Sequence, residues 1–118
     1  MVALSRRMLH DAWMYWILFY EVVDDFVRRR GAFRMAHLSL ADSAHRQGIL
    51  VLSGALADPA DSVVFVFRVE STSQIEEFVH NDPYVRNGLV TSWKIRQWNV
   101  VVGQPQTPEP GQTRSGIW

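Results

Sequence analysis

Two of the four histidines lie in the stretch RMAHLSLADSAHRQG, residues 34–48, which has the pattern of a helix. On a helical wheel at about 100° per residue, His37 falls near the centre of an apolar stripe. The other members of this stripe are Phe33, Leu40, Ala41 and Ala44. An imidazole that faces a pocket is suited to general acid–base catalysis, because histidine titrates near neutral pH. His37 is therefore a candidate catalytic residue, although a core histidine bonded to a backbone carbonyl explains the same pattern.

A second informative stretch is HNDPYVRNGLV, residues 80–90. Asp82 is expected to cap a short helix in which Pro83 takes the first position, and Asn87 and Gly88 are expected to end that helix. Capping alone explains Asp82. However, a carboxylate that caps a helix can also orient an imidazole, so Asp82 is a candidate partner for His37.

Other polar residues carry weaker signals. His45 and His80 are interpreted as solvent-exposed, and His10 as part of an N-terminal arm. Asp42 and His45 are three residues apart, but the sequence offers no third ligand beside them, so we expect no metal site. The run RRR at 28–30 is interpreted as a solvated helix face, from which one arginine could reach an anion in a pocket. The sequence contains no phosphate-binding loop, nucleophile elbow or zinc signature.

Composition excludes several classes of function. The chain has 118 residues, 47% of them apolar, and a formal net charge of zero, which argues against nucleic acid as its main partner. It has no cysteine, so disulfides, thiolate nucleophiles and cysteine-based metal sites are excluded. The apolar run at 12–20 is well below the roughly 20 residues that a membrane-spanning helix needs. We therefore interpret this run as a buried strand and expect a cytoplasmic protein with no membrane partner.

The elements that position these residues follow the order β-α-β-β-α-β. The pattern predicts strands at 16–23, 49–56, 63–69 and 91–102, a helix at 28–47 and a second helix that begins with a capping box at Ser73 and Glu76. Residues 1–13 are expected to form an arm, residues 14–102 a single domain, and residues 103–118 a flexible tail rich in proline and glycine. This order predicts a ferredoxin-like α+β fold, with a four-stranded antiparallel sheet and both helices on one face.

Both faces of the predicted sheet are apolar. In the third strand, Val63, Phe65 and Phe67 alternate with Val64 and Val66. A sheet with one face in water alternates apolar with polar residues, and two helices can cover only one face. We therefore predict a homodimer in which the two sheets pack face to face.

Several motifs together resemble the YciI-like (YCII-related) proteins of the dimeric α/β-barrel superfamily. They are YWILFYEVVDD, RMAHL, QGILVLSGAL, VVFVFRVES and NDPYVRNGLV, and they extend from about Tyr15 to Val102. The resemblance implies a ferredoxin-like protomer in a sheet-to-sheet dimer, a dimeric α/β barrel, with a His–Asp pair in a pocket beside the interface. The matching residues here are His37 and Asp82.

The resemblance also implies residues that bind the substrate. Arg30 and Arg34 lie where the family often has arginines ahead of its histidine. Tyr84 belongs to the NDPY motif. Ser53 stands in the sequence SGA, where the family usually has AGP, so we expect the loop that shapes the pocket to differ here. No cofactor and no metal are expected.

Three functions remain open at this level. The first is a cofactor-independent acid–base enzyme of the lyase or isomerase type, acting on a small, cyclic, oxygenated substrate through His37 and Asp82. The alternative is a non-catalytic accessory dimer that binds a small ligand. A minor alternative is a haem-related or monooxygenase-type barrel, which the five tryptophans and the buried histidine keep open.

Overall fold

The computed structural model describes residues 14–103 and contains a single four-stranded antiparallel sheet with the strand order β2-β3-β1-β4. The strands are β1 (Met14–Val22), β2 (Leu50–Ala55), β3 (Ser62–Val69) and β4 (Val90–Trp98). The helices are α1 (Phe26–Arg29), α2 (Arg34–Arg46), α3 (Ser73–Asn81) and α4 (Pro83–Arg86), and a 3₁₀ turn at Arg30–Ala32 lies between α1 and α2. The predicted ferredoxin-like α+β fold is confirmed. The predicted arm, and all of the predicted tail except Gly103, lie outside the described residues.

The structure corrects the prediction of one continuous helix at 28–47. The chain forms the short helix α1, the 3₁₀ turn and then α2, and the break falls at Phe33, where φ is −120° and ψ is −1°. Gly31, with its low helix propensity, lies inside the turn. The buried side chain of Phe26 fixes α1 against the core, so the helical region also begins earlier than the sequence pattern suggested.

The predicted capping box at α3 is wrong. Thr72 is the N-cap residue, Ser73 is already the first helical residue, and no side chain bonds the free N–H groups there. The Ser73 hydroxyl instead lies 2.8 Å from the hydroxyl of Ser71. The buried face of α3 is as predicted, with Ile75, Phe78 and Val79 in the core.

The main core lies between the sheet and the helices. Leu18 opposes Phe65 and Tyr20 opposes Val63 in the β1–β3 ladder, so all four side chains project from one face of the sheet. These four residues are buried. Helix α2 turns His37, Ala41 and Ala44 toward this core. The helical wheel thus correctly predicted which face of α2 is buried, including His37, the polar residue on that face.

The second face of the sheet is apolar along the centre of β1 and β3, as the alternation predicted, whereas β4 places Lys94 opposite Phe19 and Arg96 opposite Ile17. Phe19 opposes Val64, and Ile17 opposes Val66, on this face. Phe19, Ile17 and Val64 are half-buried, and Leu52 of the edge strand is 63% exposed. The dimer that this face suggests remains a prediction.

Within residues 14–103, no helix is long and apolar enough to cross a membrane. The same part of the chain contains no group of three or more side chains that could hold a metal ion.

Candidate active site

Asp82 lies at the junction of α3 and α4, where its backbone is extended, with φ −74° and ψ 122°. Its Oδ1 accepts the backbone N–H of Tyr84 at 3.0 Å, and Pro83 occupies the first helical position. The sequence DPY therefore forms the predicted N-cap. The cap is unusual in being fully buried, with 0% of Asp82 exposed.

His37 contacts this carboxylate from the adjacent helix α2. Its Nδ1 lies 2.8 Å from Asp82 Oδ1, and only 7% of its side chain is exposed. Since an ionised carboxylate can only accept hydrogen bonds, Nδ1 carries the proton in this pair and donates it to Asp82. The lone pair of the neutral imidazole is then on Nε2, and no described residue hydrogen-bonds that nitrogen.

A third side chain reaches Asp82 from the sheet. The hydroxyl of Tyr20 donates to Asp82 Oδ2 at 2.7 Å, and Tyr20 is fully buried. Burial raises the pKa of Tyr20 far above the usual tyrosine value, and the charge of Asp82 and the hydrogen bond to it raise this pKa further. Tyr20 is therefore neutral throughout the physiological pH range and acts as a donor. The carboxylate thus accepts three hydrogen bonds from three different parts of the chain.

Aromatic rings enclose the imidazole. The ring of Tyr84 stacks on His37 with 4.0 Å between centroids and 14° between planes. Phe65 presents its ring at 68° to the imidazole, with 6.0 Å between centroids. Such contacts restrict rotation of the imidazole, so packing as well as the bond to Asp82 fixes its orientation.

Two arginines and Asp82 act on the Tyr84 hydroxyl. Burial raises the pKa of Tyr84, while the positive charges of Arg30 and Arg34 oppose that rise. Both arginines therefore lie close enough to act on the hydroxyl of a residue that stacks on His37. The guanidinium of Arg30 also lies over the ring of Phe26, 5.5 Å from its centroid, and Phe26 packs edge to face on Tyr84 at 5.3 Å.

The rest of the arginine run faces solvent. Arg28 forms an ion pair with Asp25, and Arg29 lies 3.8 Å from the same carboxyl group. Of the three arginines at 28–30, only Arg30 thus belongs to the site. Arg34, the first residue of α2, is exposed.

Ser53, the last predicted site residue, does not join this cluster by a hydrogen bond. It is exposed on the edge strand β2, opposite Phe65 and therefore on the helix-facing side of the sheet. The structure brings His37, Asp82 and Tyr84 into direct contact, sets Arg30 and Arg34 near Tyr84, and leaves Ser53 apart.

The two other described histidines lie outside the cluster and are exposed, as expected. His45 Nδ1 nevertheless lies 2.8 Å from the carbonyl oxygen of Leu50, a bond that joins the end of α2 to β2. Asp42 pairs with Arg46 at 2.7 Å rather than with His45.

Comparison with known families identifies the chain. The model of the YCII-related domain matches residues 14–99, which include every residue of the cluster. The chain belongs to the YCII-related family. This match covers nearly all of the described residues. The search of curated proteins found no significant match to this YCII-related protein.

Solved structures support the same fold. One is 5-chloro-2-hydroxyhydroquinone dehydrochlorinase (TftG) from Burkholderia phenoliruptrix, in complex with 2,5-dihydroxybenzoquinone. It is 18% identical, covers 72% of this chain and 93% of its own, and superposes with a TM-score of 0.62. A second, MtbAldR, is 10% identical, covers 80% of this chain and 58% of its own, and has a TM-score of 0.45, which is too weak a similarity to support any inference.

Proposed function

We propose that this YCII-related protein is a cofactor-independent acid–base enzyme of the lyase or isomerase type. The observation that carries the proposal is the buried contact of 2.8 Å between His37 Nδ1 and Asp82 Oδ1. It gives the imidazole a defined tautomer and a carboxylate partner, which are the properties of a general base held in place.

In this reaction His37 Nε2 removes a proton from a carbon or oxygen of the substrate. The electron pair of the broken bond forms a new double bond. In a lyase, a leaving group departs with its own bonding pair and the imidazolium then releases its proton to the leaving group or to water. In an isomerase, Nε2 returns the proton to a different atom of the substrate. Asp82 stabilises the imidazolium formed between these steps, as a carboxylate does in hydrolase triads.

The substrate is a small, cyclic, oxygenated compound that carries a negative charge. The support for a negative charge is the pair Arg30 and Arg34, whose positive charges act on the Tyr84 hydroxyl beside His37. Arginine recognises carboxylates and phenolates through charge-assisted hydrogen bonds. The raised pKa of Tyr84 keeps its hydroxyl protonated, so Tyr84 can donate to the same oxygen.

We also propose that the protein is a homodimer whose protomers pack through the second face of the sheet. The half-buried side chains of Phe19, Ile17 and Val64 support this, because an apolar sheet face is stable only when it is covered. Val64→Glu is expected to convert the dimer to monomer in sedimentation experiments. The exposed apolar residue Met35, on helix α2, provides a control variant, Met35→Glu, that is expected to remain dimeric.

The enzymatic proposal is tested by a ligand screen followed by product analysis. The first compounds are 5-chloro-2-hydroxyhydroquinone and 2,5-dihydroxybenzoquinone, the molecules associated with TftG, followed by other small cyclic phenols, lactones and carboxylates. Binding is detected as a rise in melting temperature, and each bound compound is then analysed by NMR after incubation. Conversion supports the enzyme. Ligands recovered unchanged support the alternative, a binding or accessory dimer.

A further inference from the structure

Asp82 has a further hydrogen-bond partner besides His37, the hydroxyl of Tyr20. The Oδ1 atom of Asp82 accepts two hydrogen bonds, from the Tyr84 N–H and from His37 Nδ1. The Oδ2 atom accepts one, from the hydroxyl of Tyr20 at 2.7 Å. Both Asp82 and Tyr20 are 0% exposed, so solvent does not replace this donor.

We propose that Tyr20 is a positioning residue for the acid–base reaction, and that the geometry assigns a Tyr20–Asp82–His37 chain to the site. Tyr20 makes no hydrogen bond to His37 and is fully buried, so it acts through Asp82. Its hydroxyl holds Oδ2, which keeps the carboxylate in the plane that presents Oδ1 to His37.

Packing alone does not require the hydroxyl. The Tyr20 ring lies edge to face against Phe65, with 4.8 Å between centroids, and a phenylalanine ring could make the same contact. What tyrosine adds is one donor at the buried end of the carboxylate. Without that donor, Oδ2 would be a buried and unpartnered acceptor, and such groups are strongly disfavoured. Rotation of Asp82 would relieve the unpartnered oxygen, and this rotation would weaken the control of Asp82 over His37.

The inference rests on the proposed function and is tested with Tyr20→Phe. The readout is the ¹⁵N spectrum of the His37 ring, which reports the tautomer without any substrate. We expect the Nδ1–H tautomer alone in the wild type and a measurable share of the Nε2–H tautomer in Tyr20→Phe. For a converted ligand, we expect kcat to fall about tenfold with KM unchanged, because Tyr20 touches no substrate.

Tyr15→Phe is the matched control. Tyr15 is a buried tyrosine of the same strand, five residues earlier and on the opposite face of the sheet. This control is expected to leave the His37 spectrum and kcat unchanged. A folded Tyr20→Phe protein with the wild-type His37 tautomer would overturn the inference.

If Tyr20→Phe does not fold, the coupling is measured in the opposite direction. The ¹³Cζ shift of Tyr20 is compared in the wild type and His37→Phe, which removes the donor to Asp82, and a change is expected, since Asp82 links the two residues. An unchanged shift overturns the inference. Both spectroscopic readouts are independent of turnover, so activity that does not require His37 would refute the proposed function without altering the result for Tyr20.

Discussion

Replacing Asp82 with alanine is expected to destabilise the fold by about 3 kcal/mol. Three buried donors lose their acceptor at once: the Tyr84 N–H, the His37 Nδ1–H and the Tyr20 hydroxyl. Each unsatisfied buried donor costs about 1–3 kcal/mol, and loss of the N-cap is included in the first of them. Part of this cost in stability is recovered, because the variant no longer buries a carboxylate and because water can enter the space that it leaves. The remainder is a large fraction of the roughly 5–15 kcal/mol by which a domain is stable.

The loss is measured by urea unfolding followed by circular dichroism, with linear extrapolation. Asp82→Asn keeps one oxygen to accept the Tyr84 N–H and is expected to lose less than Asp82→Ala. The control is Asp42→Ala, which breaks the exposed ion pair with Arg46 and should cost under about 1 kcal/mol. If Asp82→Ala were no more destabilised than Asp42→Ala, the account of Asp82 as the centre of the site would be refuted.

The contribution of the Tyr20 hydroxyl to stability can be isolated from that of the other two donors by a double-mutant cycle. Tyr20→Phe, Asp82→Asn and the double variant together isolate the energy that the two side chains share. We expect a coupling of about 1.5–3 kcal/mol, the range for a hydrogen bond to a charged group. A coupling near zero would mean that the 2.7 Å contact contributes nothing to stability.

Two further predictions concern pH and charge. Burial raises the pKa of Tyr20, so above about pH 10 the unfolded chain releases a proton that the folded protein keeps. The contribution of Tyr20 is therefore complete below that pH and is lost as the pH rises, by up to about 1.4 kcal/mol per pH unit. Urea unfolding between about pH 9 and pH 11 should show this decline in the wild type and a shallower one in Tyr20→Phe. In ligand titrations, Arg30→Gln and Arg34→Gln should each weaken binding of an anionic ligand about tenfold, because each removes a charge-assisted hydrogen bond. Arg28→Gln, in the exposed ion pair with Asp25, should not; equal effects of all three would show a diffuse charge effect.

Local patterns made His37 and Asp82 candidates, and the resemblance to the YCII-related family implied that they form a pair. His37 interrupts an apolar stripe of period 3.6, and a polar residue there needs a partner in the core. Asp82 stands before Pro83, where a capping carboxylate is expected. The structure adds what no local pattern contains, namely that the two residues, 45 positions apart, lie within 2.8 Å of each other.

Tyr20 could not be predicted in this way. It lies in a strand with apolar residues on both faces, where a tyrosine has the same pattern as any other large aromatic residue. Its partner, Asp82, is 62 residues away, so only the tertiary fold reveals the function of the hydroxyl. The alternation along β1 predicted that Tyr20 and Leu18 share one face of the sheet. It did not predict that this is the face covered by the helices, because that depends on how α2 and α3 pack.

The break in the first helical region was also beyond the sequence pattern. Gly31 is the one strong helix breaker in residues 28–47. The position of the break also depends on how Phe26 packs in the core. The break matters for the site, because it places Arg30 in a 3₁₀ turn over the Phe26 ring, while Arg34 begins α2. Local propensity is a weak prior where tertiary packing decides.

The rate of ligand conversion by His37→Asn tests the central claim most directly. Asparagine places its amide nitrogen near the position of Nδ1, so it can still donate to Asp82, but it has no equivalent of Nε2. We predict a folded protein whose kcat on the first converted ligand falls by about 10²–10⁴, the range for loss of general acid–base catalysis. A rate equal to that of the wild type, in a protein that still binds the ligand, would contradict the assignment of His37 as the base.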